Sequence, residues 1–587
     1  MGHRPLSGQS DRRGLAVAVA TFALIASWLA RWPFRSRHHY EWDSAQYAMG
    51  VVDFDIYAHR PHPPGYPVWI ALLKFLHVFV DDLVLVQVIV ANAVSAIAAL
   101  VFHGFARREL HSNGLALVAT VMVFWSPPAI VASVYGNTYP VDLLASASLG
   151  LLSARLWRGD ARVAPLAAAL LALFAGARQS SAVLLAPLVA IALLRTARLD
   201  GKTWLKAGAA GVCVFAAWYV PVARMHGGAA ALQTYQADNV RMYFSHMSVL
   251  YGAPLRLHLA MLRDVALWTA LMLAVPVATT VVAVAVAAIR RRRTSPLEHR
   301  QLGALFYALW IAPTELYVTA LHCPKPGYLL VALPPAALLL TRAVARASLS
   351  PIAACVVAAV VAILGTALGA IRYGDTTLDR GSLASVRVAD DMMDAVQREV
   401  GAGEDALVVW VGGELYGPNV RSLEMELPGA RIWGFGSAEH RRDARGGFER
   451  VVVAPAHEVP AEVRRIYWVH YPRIALPRSI ALAFPGTHEV LNGRTSRVFR
   501  SDVGERGLDA HVTLETSSVH LVRSGSLPTR SCQLAGGFGE GFYVGNPIWG
   551  FFPESRIRVR APSPRWRRPP RRRTPRSARA THARPPG

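Results

Sequence analysis

Cysteine and charged residues are both scarce in this chain of 587 residues. It has only 4 cysteines, and charged residues make up 17% of it. So few cysteines exclude a disulfide-rich scaffold, and a sequence this apolar is not intrinsically disordered. Apolar residues make up 53% of the chain, and many lie in runs near the length that a membrane-spanning helix needs. The composition therefore predicts a polytopic membrane protein.

Acidic residues are also few, with 38 Asp and Glu against 62 Lys and Arg, which gives a net charge of +24. Twelve arginines lie between Arg556 and Arg584, and no acid follows Glu554, so half of the excess charge belongs to the last 32 residues. The rest lies mostly in arginine clusters between apolar runs, where membrane proteins anchor their cytoplasmic loops. The charge thus does not predict a nucleic-acid partner.

Eleven apolar runs are interpreted as spanning helices, because lipid offers the backbone no hydrogen-bond partners outside a helix. The first run also fits a secretory signal peptide, but at 17 residues it exceeds the usual apolar core and ten more follow, so we interpret it as an uncleaved helix. The runs lie at 14–30, 83–106, 115–134, 141–157, 163–177, 180–194, 207–223, 265–289, 303–321, 327–341 and 352–371.

Two choices decide the predicted topology. Residues 66–80 are apolar but short and contain Lys74 and His77, so we expect a helix that lies at the membrane interface. The stretch 163–194 is divided at Arg178, because an unbroken helix would hold this arginine near the bilayer centre at a cost of several kcal/mol. Both choices affect which loops share one side of the membrane.

With these choices the basic loops fall on the side of the N-terminus, which the positive-inside rule predicts to be cytoplasmic. The first outer loop, 31–65, then faces outward together with everything after 371. The exceptions are Arg31, Arg35 and Arg37, which fall on the outer side. We interpret them as contacts to phosphate groups. The cytoplasmic clusters are Arg107 and Arg108; Arg155, Arg158 and Arg162; Arg195, Arg198, Lys202 and Lys206; Arg290 to Arg293; and Arg342 and Arg346.

The chain divides into a membrane domain at 1–371, a small outer α/β domain at 372–510 and an irregular tail at 511–587. The outer domain is predicted to begin with an amphipathic helix at 383–400 and to continue with short strands near 407–411, 432–435, 451–453 and 466–469. From 555 onward the Arg/Pro-rich sequence favours disorder. Two alternatives stay open there: a basic tail that contacts lipid headgroups, or a wrongly translated frame.

The most unusual stretch of the sequence lies in the first outer loop. Glu41-Trp42-Asp43-Ser44-Ala45-Gln46-Tyr47-Ala48 is followed fourteen residues later by His62-Pro63-Pro64-Gly65-Tyr66-Pro67, with Trp69 close behind. The prolines stiffen the loop, so it can hold an acid in a fixed place. These residues resemble the polytopic lipid-phosphate-sugar glycosyltransferases of the GT-C superfamily, which include protein O-mannosyltransferases and lipid A aminoarabinose transferases. The likeness is greatest to a bacterial branch that includes lipopolysaccharide-core transferases.

Further matches follow in the same order and on the same predicted face. Tyr139-Pro140-Val141-Asp142 resembles the family's aspartate at the start of a helix, and Gly176-Ala177-Arg178-Gln179 is similar to the position of its lysine. Lys325-Pro326-Gly327-Tyr328 is similar to its basic-aromatic turn before a proline-containing helix. The resemblance covers roughly residues 14–371, and it implies a helical membrane bundle that transfers a sugar from a polyprenyl-phosphate donor.

The chemistry of such a transfer needs a base for the acceptor and cations for the phosphate that leaves. We expect Asp43 to be the base, and Asp142 to orient the acceptor or support the base. Arg178 and Lys325 are expected to bind the lipid phosphate. The resemblance also implies that Tyr47, His62 and Tyr328 bind substrate. His62 replaces the family's lysine, so its charge depends on its surroundings.

Each of these residues also has a purely structural interpretation. Asp43 and Asp142 could each cap the helix that they begin. Arg178 could extend its side chain to the membrane surface. Lys325 and Tyr328 also fit ordinary interfacial anchors. Glu315, inside an apolar span, is a candidate substrate-binding residue, with a hydrogen-bonded structural role as the alternative.

Metal sites are not predicted, although a divalent metal is possible because some members of the superfamily use one. Asp53-Phe54-Asp55 imitates a metal motif of nucleotide-sugar transferases, but no strand-helix-strand pattern surrounds it. The histidine pairs 38–39 and 59/62 lack further ligands at a zinc-like spacing.

The predicted protein is therefore a glycosyltransferase of the bacterial inner membrane, with its outer domain outside the cytoplasm. Its partners are the polyprenyl-phosphate sugar, membrane lipids and a lipid, glycan or protein acceptor. The alternatives are a transporter or flippase of a lipid-linked glycan and a non-catalytic assembly protein. The predicted charges gather at one face and no internal repeat is evident, whereas transporters usually have internal repeats.

Overall fold

A computed structural model describes the chain from residue 28 to residue 523. The first predicted span, apart from its last three residues, and the Arg/Pro-rich tail lie outside this part of the chain. Within it, the residues left undescribed are 197–199, 246, 290–301, 324, 346–349, 374–376, 402–404, 412–415, 428, 435–437, 443–447, 453–455, 460–461, 471–475, 477, 504–508 and 515–516.

Helices form the first part of the described chain. Short 3-10 helices lie among them at Trp32–Phe34, Ala161–Val163, Val249–Tyr251, Pro326–Val331 and Thr377–Gly381. The α-helices are α1 (Trp42–Val52), α2 (Pro67–His77), α3 (Leu83–Leu110), α4 (Asn113–Phe124), α5 (Pro127–Val134), α6 (Tyr139–Trp157), α7 (Ala164–Ala177), α8 (Gln179–Arg195), α9 (Gly201–Met225), α10 (Ala229–Ser245), α11 (Leu255–Ile289), α12 (Ala304–Ala320), α13 (Leu333–Ala345) and α14 (Pro351–Ala370).

Several of these helices are of the membrane-spanning kind. Among the described residues, α3, α9, α11 and α14 are long and apolar enough to cross a membrane, and the bent pair α4 and α5 would make a fifth span. Other apolar helices are shorter, among them α8 and α13. The predicted fold class, a mainly helical membrane bundle followed by a small α/β domain, is confirmed.

The helix boundaries follow local sequence signals. Asp82 caps α3 by accepting hydrogen bonds from the amides of Val84 (2.9 Å) and Leu85 (3.0 Å). Arg178 separates α7 from α8 as predicted. The predicted interfacial segment contains the 11-residue helix α2, which at 1.5 Å per residue is about 16 Å long and too short to span.

Two predicted spans differ from straight helices. Pro127 and Pro128 begin a new helix within the predicted span 115–134, so α4 and α5 meet at an angle of 65°. The predicted span 327–341 begins as the 3-10 helix Pro326–Val331, and its regular α-helix starts at Leu333, just before Pro334 and Pro335. A proline has no amide hydrogen, so it begins a helix more readily than it continues one.

Contacts between helix ends show which ends lie together. Glu109 near the end of α3 accepts two hydrogen bonds from Arg158 beyond α6, at 2.7 and 2.8 Å. Arg342 in the last turn of α13 lies 3.6 Å from the same carboxylate. The basic ends of three helices therefore meet at one end of the bundle, as the predicted topology requires.

The outer domain contains a mixed sheet. Strand β1 at its centre is parallel to β2 and β6, and the other pairs in this sheet are antiparallel. The sheet order is β4-β3-β2-β1-β6-β8-β7, and a second sheet has the order β5-β10-β9. The elements are α15 (Leu383–Val400), β1 (Ala406–Trp410), α16 (Val420–Glu426), β2 (Arg431–Gly434), β3 (Ala438–Arg442), β4 (Phe448–Val452), β5 (Ala456–Val459), β6 (Arg465–His470), α17 (Arg478–Ala483), β7 (His488–Asn492), β8 (Arg497–Asp502), β9 (Asp509–Leu514) and β10 (Ser517–Arg523).

The central strand of this domain is buried on both faces. Leu407 and Val409 face one apolar cluster, which includes Ile480 of α17, whereas Val408 and Trp410 face another. The second cluster includes Met392 and Met393 of α15 together with Trp42 of the first outer loop. This alternation explains why β1 is a continuous apolar run. Regular structure continues past the predicted boundary at 510, through β9 and β10.

Candidate active site

The candidate site begins where the first outer loop turns into α1. Glu41 has extended backbone angles (φ −134°, ψ 166°) and is the residue before the helix. Its amide donates to the hydroxyl of Ser44 at 3.1 Å, which fixes the turn. Asp43 lies in the first turn of α1, and its side chain contacts another part of the chain instead of capping this helix.

Lys325 brings the two carboxylates of this turn together. Its Nζ donates to Oδ2 of Asp43 and lies 3.0 Å from Oε2 of Glu41. The side chains of Glu41 and Lys325 are almost fully buried, whereas that of Asp43 is 22% exposed. Asp43 is therefore the carboxylate of this pair that a substrate can reach.

The same contacts separate the acidities of the two carboxyl groups. Burial, against the opposing effect of Lys325, raises the pKa of Glu41 to about 7. Burial also disfavours the charge of Asp43, but Lys325 and the neighbouring His62 lower its pKa below the ordinary value. Burial likewise opposes the charge of Lys325, yet Asp43 and Glu41 raise its pKa above the usual range. Near neutral pH, Asp43 and Lys325 are therefore ionised, and Glu41 is close to its midpoint.

Arg178 lies between α7 and α8 and is buried rather than extended to the surface. Its Nε donates to Oδ2 of Asp142 at 2.6 Å, and Nη1 donates to the hydroxyl of Thr138 at 2.7 Å. The other carboxylate oxygen of Asp142 accepts a hydrogen bond from Ser181. In the described part of the chain, Nη2 of Arg178 has no hydrogen-bond partner. The guanidinium is thus held by Asp142 and Thr138, and its Nη2 keeps donor capacity.

Aromatic rings complete the surroundings of Arg178. Its guanidinium carbon lies 4.2 Å from the ring centroid of Tyr139 and 5.1 Å from that of Tyr328. Gly327 allows the ring of Tyr139 to pack against the turn that carries Tyr328, because a Cβ atom at 327 would lie 2.2 Å from that ring. Tyr47 connects Arg178 with the surroundings of Asp43. Its hydroxyl lies 3.4 Å from that of Thr138, which also binds Arg178, and its ring centroid lies 5.7 Å from that of His62.

His62 lies beside Asp43 but is not a cation. Its Nδ1 is 2.7 Å from Oε1 of Gln46 and 3.8 Å from Oδ1 of Asp43, and its Nε2 is 3.0 Å from the hydroxyl of Tyr66. Burial, together with the charges of Lys325 and Arg178, lowers the pKa of His62 to about 4 despite Asp43. The imidazole is therefore neutral at physiological pH, so it does not replace the charge of the family's lysine.

Of the predicted site residues, the structure thus joins Asp43, Lys325 and His62 in one set of contacts. It joins Arg178, Asp142 and Tyr328 in a second, and Tyr47 links the two. Glu315 on α12 is half buried, and no ion pair connects it with the rest of the described chain. Its functional role stays a prediction.

The donor set does not match that of a metal centre. In the parts of the chain that are described, no three His, Cys, Asp or Glu side chains converge as metal ligands do. Lys325 lies between the two nearest carboxylates. In the Asp-x-Asp motif, Asp53 pairs with Arg60 at 2.6 Å, and Asp55 accepts from the amide of Tyr57 at 2.9 Å. Both acids therefore stabilise the loop itself.

Sequence reasoning missed Glu41 and treated Asp43 as a lone carboxylate. The backbone of Glu41 is extended just before α1, so the side chains of Glu41 and Asp43, two positions apart, both reach the ammonium of Lys325. The sequence did contain a signal for Glu41: an acid two residues before Asp43, in a stretch rich in aromatic residues. Asn137, Thr138 and Ser181 were missed as well, because their contacts depend on how α1, α6 and α8 pack.

Comparisons with known proteins returned similar structures only. No family model and no curated protein matches the chain. Two crystal structures of ArnT from Cupriavidus metallidurans are similar to it at 14% sequence identity and a TM-score of 0.46. The one bound to undecaprenyl phosphate is matched over 82% of this chain and 97% of that chain. The apo structure is matched over 83% and 98%, respectively.

Proposed function

We propose that the protein is a membrane glycosyltransferase of the GT-C type. It transfers a sugar from a polyprenyl-phosphate donor to a lipid, glycan or protein acceptor on the outer face of a bacterial inner membrane. One observation carries the proposal: a partly exposed carboxylate, Asp43, lies against Lys325 and near an arginine that keeps an unpartnered Nη2. The motifs that resemble this superfamily supply these same residues.

The cations suit a phosphate that gains charge as it leaves. An ammonium has three N–H donors, of which two face Glu41 and Asp43, so the third can bind a phosphate oxygen. In the described part of the chain Nη2 of Arg178 has no partner, so it can supply a second donor. In a water-poor site such fixed donors stabilise developing charge more than water does, since they need no reorganisation. Lys325 and Arg178 are thus proposed to bind the lipid phosphate.

Asp43 is proposed to act as the base. The acceptor oxygen or nitrogen forms a bond to the anomeric carbon while the bond from that carbon to the phosphate oxygen breaks. The acceptor proton passes to Asp43, and the electron pair of the broken bond leaves with the polyprenyl phosphate. This direct displacement inverts the anomeric centre. Both carboxylate oxygens of Asp142 are already bonded, so we propose that it acts through Arg178, by holding the guanidinium in place.

The decisive test replaces Asp43 with asparagine. We expect Asp43→Asn to lower sugar transfer by about 100-fold or more, because general-base catalysis contributes about 10²–10⁴-fold. Binding of undecaprenyl phosphate should persist, since Lys325 and Arg178 are retained. The measurement uses purified protein in lipid nanodiscs with a panel of radiolabelled polyprenyl-phosphate sugars and a separation of covalent product from donor.

Asp391→Asn is the matched control, because Asp391 on α15 is 64% exposed and pairs with Arg37, which is itself 49% exposed. Exposed pairs contribute only about 0–1 kcal/mol, so this variant should retain transfer. Undiminished transfer by Asp43→Asn would remove Asp43 as the base. Movement of labelled lipid across a vesicle membrane without any covalent product would favour the flippase instead.

A further inference from the structure

The outer domain binds the segment of chain that leads into the candidate site. We name residues 36–41 the clasped segment; it runs from Ser36 to Glu41, directly before α1. The clasped segment lies outside helices and sheets, so its backbone N–H and C=O groups need hydrogen-bond partners from elsewhere. Most of the partners that the structure describes for them belong to α15, α16 and the turn before α16.

Two buried acids of the outer domain receive the amides of the clasped segment. Asp390 on α15 accepts from the amides of Arg37 (3.0 Å) and His38 (3.2 Å). Glu426 at the end of α16 accepts from the amide of His39 at 3.0 Å. Ionised carboxylates that accept backbone amides form hydrogen bonds about twice as strong as neutral ones.

Two carbonyl groups of the segment are bound by the same domain. The hydroxyl of Ser422 donates to the carbonyl of His39 at 3.0 Å, and the amide of Gly417 donates to the carbonyl of Tyr40 at 2.8 Å. Glu41 itself forms an antiparallel bridge with Tyr416. The backbone is thus bonded on consecutive residues up to the carboxylate that contacts Lys325.

The side chain of His38 adds a charged contact to this arrangement. Its Nδ1 lies 3.0 Å from Glu426 and its Nε2 lies 2.7 Å from Asp394. Burial opposes its charge, but Glu426 and the acids of α15 raise the pKa of His38 to about 9. The imidazole is therefore protonated at neutral pH and bridges α15 and α16.

From these contacts we propose that Asp390 and Glu426 are positioning residues, which hold the clasped segment so that Glu41 and Asp43 meet Lys325. The outer domain then forms part of the catalytic machinery through the backbone that it binds. The proposal rests on the proposed function for its kinetic consequence. A backbone freed at residues 37–40 would let the carboxylates leave Lys325, and a displacement of about 1 Å can cost about 100-fold in rate.

The test compares Asp390→Asn and Glu426→Gln with Asp391→Asn. The first two keep the size of the side chain and remove the charge that accepts the amides. Asp391 lies on the same helix, but its side chain is 64% exposed and pairs with the exposed side chain of Arg37, not with the backbone of the clasped segment. It is therefore the matched control. Four quantities are measured on protein in nanodiscs: amide hydrogen exchange in peptides that cover 36–43, kcat and KM for the sugar donor, and Kd for undecaprenyl phosphate.

We expect exchange in this peptide to rise at least about tenfold and kcat to fall about 10- to 100-fold. KM and Kd should change by less than about threefold, because the phosphate-binding cations are untouched. The control should match the wild type in all four quantities. A purely structural role would instead lower the fraction of folded protein while leaving kcat per folded molecule unchanged, and that result would overturn the proposal.

If either variant does not fold, His38→Gln loosens the clasped segment instead, because it removes the charged contact of His38 with Glu426 and Asp394. Unchanged exchange in 36–43 in the folded variants would also overturn the proposal. Failure of the proposed function is distinguishable, because the wild type would then transfer no sugar from any donor. The exchange experiment would still show whether the outer domain holds the segment.

Discussion

Glu41, Asp43 and Lys325 show how a buried ammonium can hold two acids with different tasks. One positive charge cannot fully compensate two ionised carboxylates in a poorly hydrated place, so the more deeply buried one tends to keep its proton. Burial accordingly raises the pKa of Glu41 to about 7, whereas Asp43 stays ionised. The charge of the site therefore changes around neutral pH through Glu41.

This titration predicts a pH dependence of phosphate binding. Glu41 is neutral below about pH 7 and negative above it, so the affinity for an anion should fall as the pH rises through 7. In Glu41→Gln this fall should disappear. The measurement is the Kd of undecaprenyl phosphate for purified protein between pH 5.5 and 9.

The phosphate itself also titrates, with a second pKa near about 6, so the ratio of the two Kd values at each pH isolates the effect of Glu41. Asp391→Asn should follow the wild type at every pH. A ratio that does not vary between pH 6 and 8 would contradict the raised pKa of Glu41.

The break between α4 and α5 shows how an interrupted helix is tolerated inside an apolar bundle. The carbonyl of Phe124, at the end of α4, accepts a hydrogen bond from Nη2 of the buried Arg31 at 2.5 Å, and Nη1 of the same arginine donates to Ser95 at 2.9 Å. Free carbonyl groups at a helix end need such partners where water is absent. Arg31, unexplained by the positive-inside rule, thus has a structural role as the partner of this break.

Helix α14 packs directly against the break, and Gly365 makes this possible. A Cβ atom at 365 would lie 1.9 Å from the carbonyl oxygen of Trp125, so Gly365→Ala must displace one of the two helices. We expect the substitution to lower the free energy of unfolding by about 1–3 kcal/mol. Thermal unfolding of the purified protein in detergent is the measurement.

Gly369→Ala, one turn further along α14, is the matched control. A Cβ atom there would meet its nearest neighbours at 3.8 Å, an ordinary contact, and alanine favours a helix over glycine by about 1 kcal/mol. The control should therefore unfold at the same or a higher temperature. Equal unfolding temperatures for both variants would show that the break is not tightly packed.

Two groups of charged residues lie at opposite ends of the helical bundle. Glu109, Arg158 and Arg342 meet at one end, whereas Asp43, Arg178 and Lys325 lie at the other, next to the outer domain. Arg37 on the first outer loop pairs with Asp391 and Asp394 of that domain, which accounts for a second exception to the positive-inside rule. The orientation of the bundle in the membrane stays a prediction.

Cysteine labelling tests this orientation in intact cells. In a background with the four native cysteines replaced by alanine, a membrane-impermeant maleimide should label Asp391→Cys from outside. Arg162→Cys should react only after permeabilisation. Both side chains are well exposed, at 64% and 88%, so a failure to react reports on the side of the membrane. The reverse pattern would place the candidate site in the cytoplasm and contradict the proposed donor.

Most elements were predictable because their signals are local. The helix 383–400 and the strands near 407–411 and 466–469 follow from periodicity and apolar runs. The division at Arg178 follows from the cost of a charge in lipid. Strands β9 and β10 were not predicted, because β10 pairs with β5, a segment about 60 residues earlier, and β9 pairs in turn with β10. Such pairing leaves only a weak pattern in the sequence.

The amino-acid sequence alone determined the class of the protein, the positions of its apolar helices and the residues Asp43, Arg178 and Lys325 as candidates. Hydrophobic runs and charge placement act locally, so they can be recognised without a fold. Packing decided the rest: Glu41 became a partner of Lys325, Asp142 a partner of Arg178, and His62 a neutral imidazole. Burial and distances between segments far apart in the chain set charge and hydrogen bonding, and neither exists before the chain is folded.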